Sequence, residues 1–204
     1  VKRRKFLSLG VGLGATSAVG AFAADAQKSV PASHRDRKPV LVKAGLSRLA
    51  DGSEVPRPYQ HTMVRSGDSE GRLAALVLPP ATYEHAAYQG APLHVHHEND
   101  EWIYVLEGEF VAEVDGTRYR LRPGDSLLMP MRLPHRWSTA SGTRFGVIHL
   151  YTPAGKMDVF FDDPATPPKH RPTEEVMKAE FADCGMTLLG PPLTKAEIDQ
   201  VNSL

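Results

Sequence analysis

His94-Val95-His96-His97-Glu98-Asn99-Asp100-Glu101-Trp102-Ile103-Tyr104-Val105-Leu106-Glu107-Gly108 is the stretch from which both the fold and the chemistry of this chain are read. His94 and His96 stand two apart, and on an extended strand that spacing puts both imidazoles on one face, where they can converge on one ion. His97 then points to the opposite face. Carboxylates follow, and the choice among Glu98, Asp100 and Glu101 stays open on alternation alone. Ile103 and Val105 follow Glu101 in phase, whereas Trp102, Tyr104 and Leu106 follow Asp100. A third imidazole, His135, comes after the turn Pro123-Gly124-Asp125 and the apolar run Leu127-Leu128-Met129-Pro130, so it belongs to a different hairpin. Three neutral imidazoles with one carboxylate form a borderline-hard donor set that suits divalent first-row metals and leaves positions open for substrate or dioxygen.

Outward from this stretch the sequence is written in short β-type runs separated by turn signals. They are His61–Arg65, Leu73–Leu78, Trp102–Leu106, Glu109–Asp115, Thr117–Leu121, Ser126–Met129, His135–Ala140 and Phe145–Tyr151. Such spacing predicts an all-β sandwich or barrel over residues 59–152. Asp115-Gly116 is a hairpin signal, because a tight primed turn needs positive φ, which Asp and Gly tolerate. Arg122-Pro123-Gly124-Asp125 is a second turn. Residues 27–58 read as a linker with one edge strand near Pro39–Ala44. Residues 153–204 read as a helical tail: Thr173 before Glu174-Glu175 caps one helix, Gly185 stops it, and Thr194-Lys195-Ala196-Glu197 fits a capping box. Leu188-Leu189-Gly190-Pro191-Pro192 between them reads as a breaker.

The composition narrows the function. With 24 Lys+Arg against 24 Asp+Glu in 204 residues, no bulk basic field is available to hold nucleic acid or anionic lipid. One cysteine, Cys184, allows no internal disulfide and no thiolate-rich zinc or iron-sulfur site. Residues 1–26 follow the order of an export signal: basic Lys2-Arg3-Arg4-Lys5, an uncharged run from Phe6 to Ala23, then small residues. Arg3-Arg4-Lys5-Phe6-Leu7 is similar to a twin-arginine motif, which predicts a periplasmic or secreted protein with no integral membrane role once the signal is removed. That route carries folded proteins, so a metal could be loaded before transport.

Pro92-Leu93-His94-Val95-His96 with Glu101 and Gly108 resembles the first motif of the cupin superfamily, and Gly124, Pro130 and His135 resemble its second. The resemblance implies a cupin-type β-barrel, or jelly roll, with short C-terminal helices. It implies that His94, His96, Glu101 and His135 are the metal ligands, which resolves the choice of carboxylate in favour of Glu101. Three departures stand out: Gly90 is displaced from the usual place of the leading glycine, Arg132 replaces a glycine and Thr139 an asparagine. The run His96–Glu109 and the tail Leu188–Leu193 look most like single-domain, quercetin-dioxygenase-like cupins, which are commonly homodimers.

These readings give an expectation of function: an exported, metal-dependent dioxygenase acting on a small aromatic or enolic substrate. The cofactor expected is one divalent transition metal (Fe, Mn, Ni, Co, Zn or Cu), with Glu101 doubling as catalytic base. The alternatives are a metal-dependent decarboxylase, lyase or isomerase, and a non-enzymatic small-molecule binder. Trp137, two residues after His135, and His149, in phase with Val147 and Tyr151, are expected to line the pocket.

Overall fold

A computed structural model of the protein describes residues 38–57, 60–82, 90–162 and 173–201. The expected signal at residues 1–26, with Arg3 and Arg4, lies outside the described residues, as does the first part of the linker. Among the described residues no helix is long and apolar enough to cross a membrane.

The strands in chain order are β1 (Leu46–Arg48), β2 (Glu54–Pro56), β3 (His61–Val64), β4 (Ala74–Thr82), β5 (Gly90–His96), β6 (Asp100–Val114), β7 (Thr117–Leu121), β8 (Ser126–Met129) and β9 (His135–Thr152). Three short helices and one more strand follow: α1 (Met157–Phe160), α2 (Glu174–Asp183), β10 (Met186–Gly190) and α3 (Lys195–Asp199). Every pairing is antiparallel, and the order β10-β5-β9-β4-β3 is joined by β6, which pairs with β7, β8 and β9. The expected all-β class holds.

Two pairs of expected strands are single long ones. β6 runs 15 residues and β9 runs 18, and they pair from Asp100↔Thr152 to Val114↔His135. The register slips between Val105 and Phe110, where Gly108 has φ 78° and a Cβ would stand 2.8 Å from the Arg144 carbonyl. Only glycine permits that approach, so the ladder bends there without breaking. Asp115 and Gly116 have φ 48° and 79°, the twist of a primed turn, and join β6 to β7 as expected.

Alternation places Glu101, Ile103 and Val105 inside and leaves Trp102, Tyr104 and Leu106 half-buried on the outer face. From Phe110 to Val114 every residue of β6 is buried. The reason lies in the tail: Leu193 and Ile198 pack on Val111 and Ala140, so the outer face of the sheet is covered there too. One end of the interior is filled by Ile103, Val105, Phe110, Met129, Phe145 and Val147. The other is bounded by Leu76, Tyr151, Met157, Phe181 and Met186.

Two expectations are corrected. Residues 38–43 form no strand; the first strand is β1, which follows Gly45 at φ 82° and pairs with β2. Leu41 in the skipped stretch is 75% exposed, and a strand-like composition needs a ladder partner before it becomes a strand. The tail is not purely helical either. Met186–Gly190 adds to the sheet as the partner of β5, with Met186 opposite His96 and Leu188 opposite His94. Proline spoils a ladder only where its N–H is needed, and Pro191 contributes instead a carbonyl that accepts from Leu93 N at 3.3 Å. The expected caps are present: Thr173 accepts from Val176 N, and Thr194 with Glu197 closes a capping box.

Candidate metal centre

β5 carries His94 and His96, β6 carries Glu101 and β9 carries His135, and register brings them together. His94 lies opposite His135 in the β5–β9 ladder, and Glu101 enters from the paired face of β6. All four are buried, none more than 4% exposed, and one donor atom from each lies within 4.8 Å of the others. His97 is exposed and reaches Thr187 Oγ1 at 2.8 Å, which is the opposite face expected of it. Asp100 accepts from Met131 N at 2.8 Å, so its carboxylate serves the loop before His135 rather than the cluster.

The ring orientations are set by backbone. His94 Nδ1 donates to the Pro92 carbonyl at 2.8 Å and His135 Nδ1 to the Leu133 carbonyl at 2.9 Å. Each proton is thereby fixed on Nδ1, and Nε2 faces the cluster as a lone pair. The Nε2 atoms of His94 and His96 stand 3.2 Å apart, and those of His96 and His135 lie 3.5 and 3.4 Å from Glu101 Oε2. His135 Nε2 has no hydrogen-bond partner among the described residues, nor has His96 Nδ1. Lone pairs and a carboxylate oxygen crowded this closely repel unless a cation or proton sits among them.

Electrostatics show which groups of the cluster repel a proton and which draw a cation. Burial, with neighbouring His135, pushes His94 down to about 3, so its imidazole is neutral and its lone pair free at ordinary pH. Burial works to raise Glu101, but the imidazoles of His135, His149 and His96 set around it outweigh burial and hold it well below the usual carboxylate range. Burial likewise opposes protonation of His135, but the adjacent Glu101 carboxylate outweighs it and raises its pKa, so this corner of the cluster attracts a cation, whether a proton or a metal ion. Three imidazoles around a buried carboxylate, with the Nδ1 atoms of His94 and His135 tied to carbonyls, fit a divalent first-row ion.

The cluster opens on a cavity of about 270 Å³. Trp137 and His149 both line it, in the places expected from sequence. Trp137 packs against Phe110 and His149, with ring centroids 5.7 and 5.2 Å away. His149 Nδ1 meets Glu101 Oε1 at 2.9 Å. Sequence reading did not single out the remaining walls. Tyr151 is buried, and its phenol is raised well above its usual pKa by burial and by the charge of the neighbouring Glu101. Its phase with His149 was the available signal. Phe160, Phe161 and Phe181 close the far side from α1, the residue after it, and α2; Phe181 stands edge-on to His94 with centroids 5.4 Å apart. A helical tail gives no sequence signal of folding back over a barrel mouth. No Lys or Arg lines the cavity among the described residues.

Residues 82–151 match the family model described as Cupin domain. The chain is 32% identical over 158 residues to quercetin 2,3-dioxygenase of Bacillus subtilis, a match spanning 73% of this chain and 43% of that protein. The chain thus covers less than half the length of that relative. Among solved structures it is similar to KdgF from Halomonas sp. (TM-score 0.41, 19% identity, 57% of this chain and 94% of that one). It is also similar to an RmlC-like cupin from Shewanella frigidimarina (TM-score 0.39, 20% identity, 61% and 90%).

Proposed function

We propose that the protein is a metal-dependent cupin oxygenase that acts on a small aromatic or enolic substrate and works outside the cytoplasm. The observation that carries this reading is the junction of a three-histidine, one-glutamate cluster with a cavity walled almost wholly by aromatic and aliphatic side chains. His94, His96, Glu101 and His135 would hold the ion. When bound, a divalent metal supplies a Lewis acid for a substrate oxygen and open positions for the second reactant.

The residues around it supply the rest. Leu76, Trp137, Phe160 and Phe181 bind a flat apolar body and exclude water, which strengthens every polar contact inside. Glu101 lines the cavity, so a substrate hydroxyl brought to its buried carboxylate meets a proton acceptor. The similarity to a quercetin dioxygenase supports a flavonol as the first substrate to try.

The test is elemental analysis of the purified protein followed by oxygen-electrode assays with quercetin. One equivalent of divalent metal and oxygen uptake matching flavonol loss are expected. Substrate turnover without oxygen uptake would move the protein to the decarboxylase, lyase or isomerase class, and tight binding without turnover would make it a binding module.

A further inference from the structure

His149 has one nitrogen that the cluster uses and one that nothing in the described protein uses. Its Nδ1 is 2.9 Å from Glu101 Oε1, whereas Nε2 is buried with no hydrogen-bond partner among the described residues. The side chain is 4% exposed and lines the same cavity as the cluster. The ring is clasped, with Trp137 5.2 Å away and Tyr151 stacked at 6.3 Å and 9°, so it cannot turn away to satisfy itself elsewhere. A buried polar nitrogen left alone is costly, and a protein keeps such a group where a ligand or water completes it.

The chemistry of the missing partner follows from the one that is present. An ionised carboxylate has no proton to give, so in the Nδ1···Oε1 bond the imidazole donates. A neutral imidazole has a single N–H, and once it is committed at Nδ1 the other nitrogen is a lone pair. We infer that His149 Nε2 is a specificity-determining acceptor that selects substrates bearing an O–H group, held beside the metal cluster. An ether, a carbonyl or a bare carboxylate at that point would bring one lone pair against another. Site discrimination of this kind is strong because the wrong ligand leaves the buried nitrogen unpaired. The absence of Lys or Arg from the described lining works in the same direction, since an anionic substrate would find no cationic side chain there. The inference rests on reading the cavity as a small-molecule site and adds which functional group it demands.

Two substitutions separate the two nitrogens. His149→Asn keeps an amide near the place of Nδ1 and removes the acceptor at Nε2; His149→Gln places its amide oxygen near Nε2 and gives up the bond to Glu101. The probes are 3-hydroxyflavone and its 3-methyl ether, titrated by calorimetry into metal-free and zinc-loaded protein under argon. Wild type is expected to favour the hydroxyl compound at least tenfold, His149→Gln to keep most of that ratio, and His149→Asn to bring it within about threefold. If His149 merely props up Glu101, the two variants exchange places, which overturns the inference. Equal affinities in wild type also overturn it and assign Nε2 to water alone. Imidazole 15N spectra of wild type give a check that needs no variant: Nε2 should be unprotonated and shift with the hydroxyl probe but not with the ether. A protonated Nε2 sinks the idea. Zinc stoichiometry keeps the two readings apart, because failure to bind zinc with the ratio intact counts against the metal reading alone, whereas a flat ratio with zinc bound counts against His149.

Discussion

The proposed function gives Glu101 two roles, anchor and base, and its neighbours make them compatible. Oε2 faces His96 and His135 while Oε1 meets His149, so the charge is shared out without being neutralised. Glu101→Gln keeps the size and an oxygen but removes the charge and the proton-accepting power. Three imidazoles still remain, so metal content should fall only in part, while turnover should drop by about 10²–10⁴, the usual worth of a positioned general base. His135→Ala deletes a ligand and should lose metal and activity together. Metal stoichiometry and turnover measured side by side decide it, and a fully metallated, fully active Glu101→Gln protein would refute the assigned role. Arg132 carries a different kind of information. It stands where the cupin pattern has glycine, and it holds φ 67° while its N–H donates to the His96 carbonyl at 2.8 Å. A left-handed L-residue costs about 1–2 kcal/mol, and glycine would return about 0.5–1 of that as chain entropy. Arg132→Gly should therefore raise the melting temperature by a few degrees in a thermal melt, with metal content unchanged.

Elements were legible in the sequence where local chemistry decides them and obscure where a distant partner does. The Asp115-Gly116 hairpin, the capping box at Thr194 and the inward phase of His94 and His96 each follow from a few adjacent residues. Local pattern could not choose Glu101 over Asp100, because the difference lies in what each faces across the sheet: the histidines for one, Met131 N for the other. The strand at Met186–Gly190 was missed for the same reason, since its prolines flank a ladder whose other half is β5, some 90 residues away in the chain. Helix α3 shows how such remote elements are held. Glu197 closes the capping box and also meets Arg118 and Arg136 at 2.7 and 2.9 Å. The Thr194 backbone and hydroxyl, with Arg136, hold its carboxyl down at about 2. A carboxylate whose pKa is lower folded than unfolded stabilises above its unfolded value near 4.5 and loses that contribution as pH falls toward 2. Melting temperatures of wild type and Glu197→Gln should thus differ by a constant gap above pH 4.5 and converge as pH approaches 2. A gap that persists unchanged down to pH 2 would show that the carboxylate's charge plays no part in docking α3.

For the molecule as a whole, the cluster is the point where two consecutive strands and a third, more distant in sequence, are obliged to agree. His94 and His96 come from β5, Glu101 from β6 and His135 from β9, and Phe181 of the tail packs on His94. The unfolded chain has no such arrangement, so an ion taken up by these four residues binds the native state far better than the unfolded one. Binding free energy then appears as folding free energy. At a free metal concentration 100 times the dissociation constant the gain is about 2.7 kcal/mol. For a chain of this size each kcal/mol is worth about 2–4 °C, so saturating zinc should raise the melting temperature by roughly 5–11 °C. The rise should scale with the logarithm of free zinc and reverse on chelation. It should be smaller in Glu101→Gln and absent in His135→Ala, whereas His149→Asn should retain it, because His149 contacts the carboxylate without supplying a ligand atom to the cluster. A general salt effect would shift all four proteins alike. Only an ion held by the residues of β5, β6 and β9 orders them in this way, and calorimetric scans at three zinc concentrations suffice to see it.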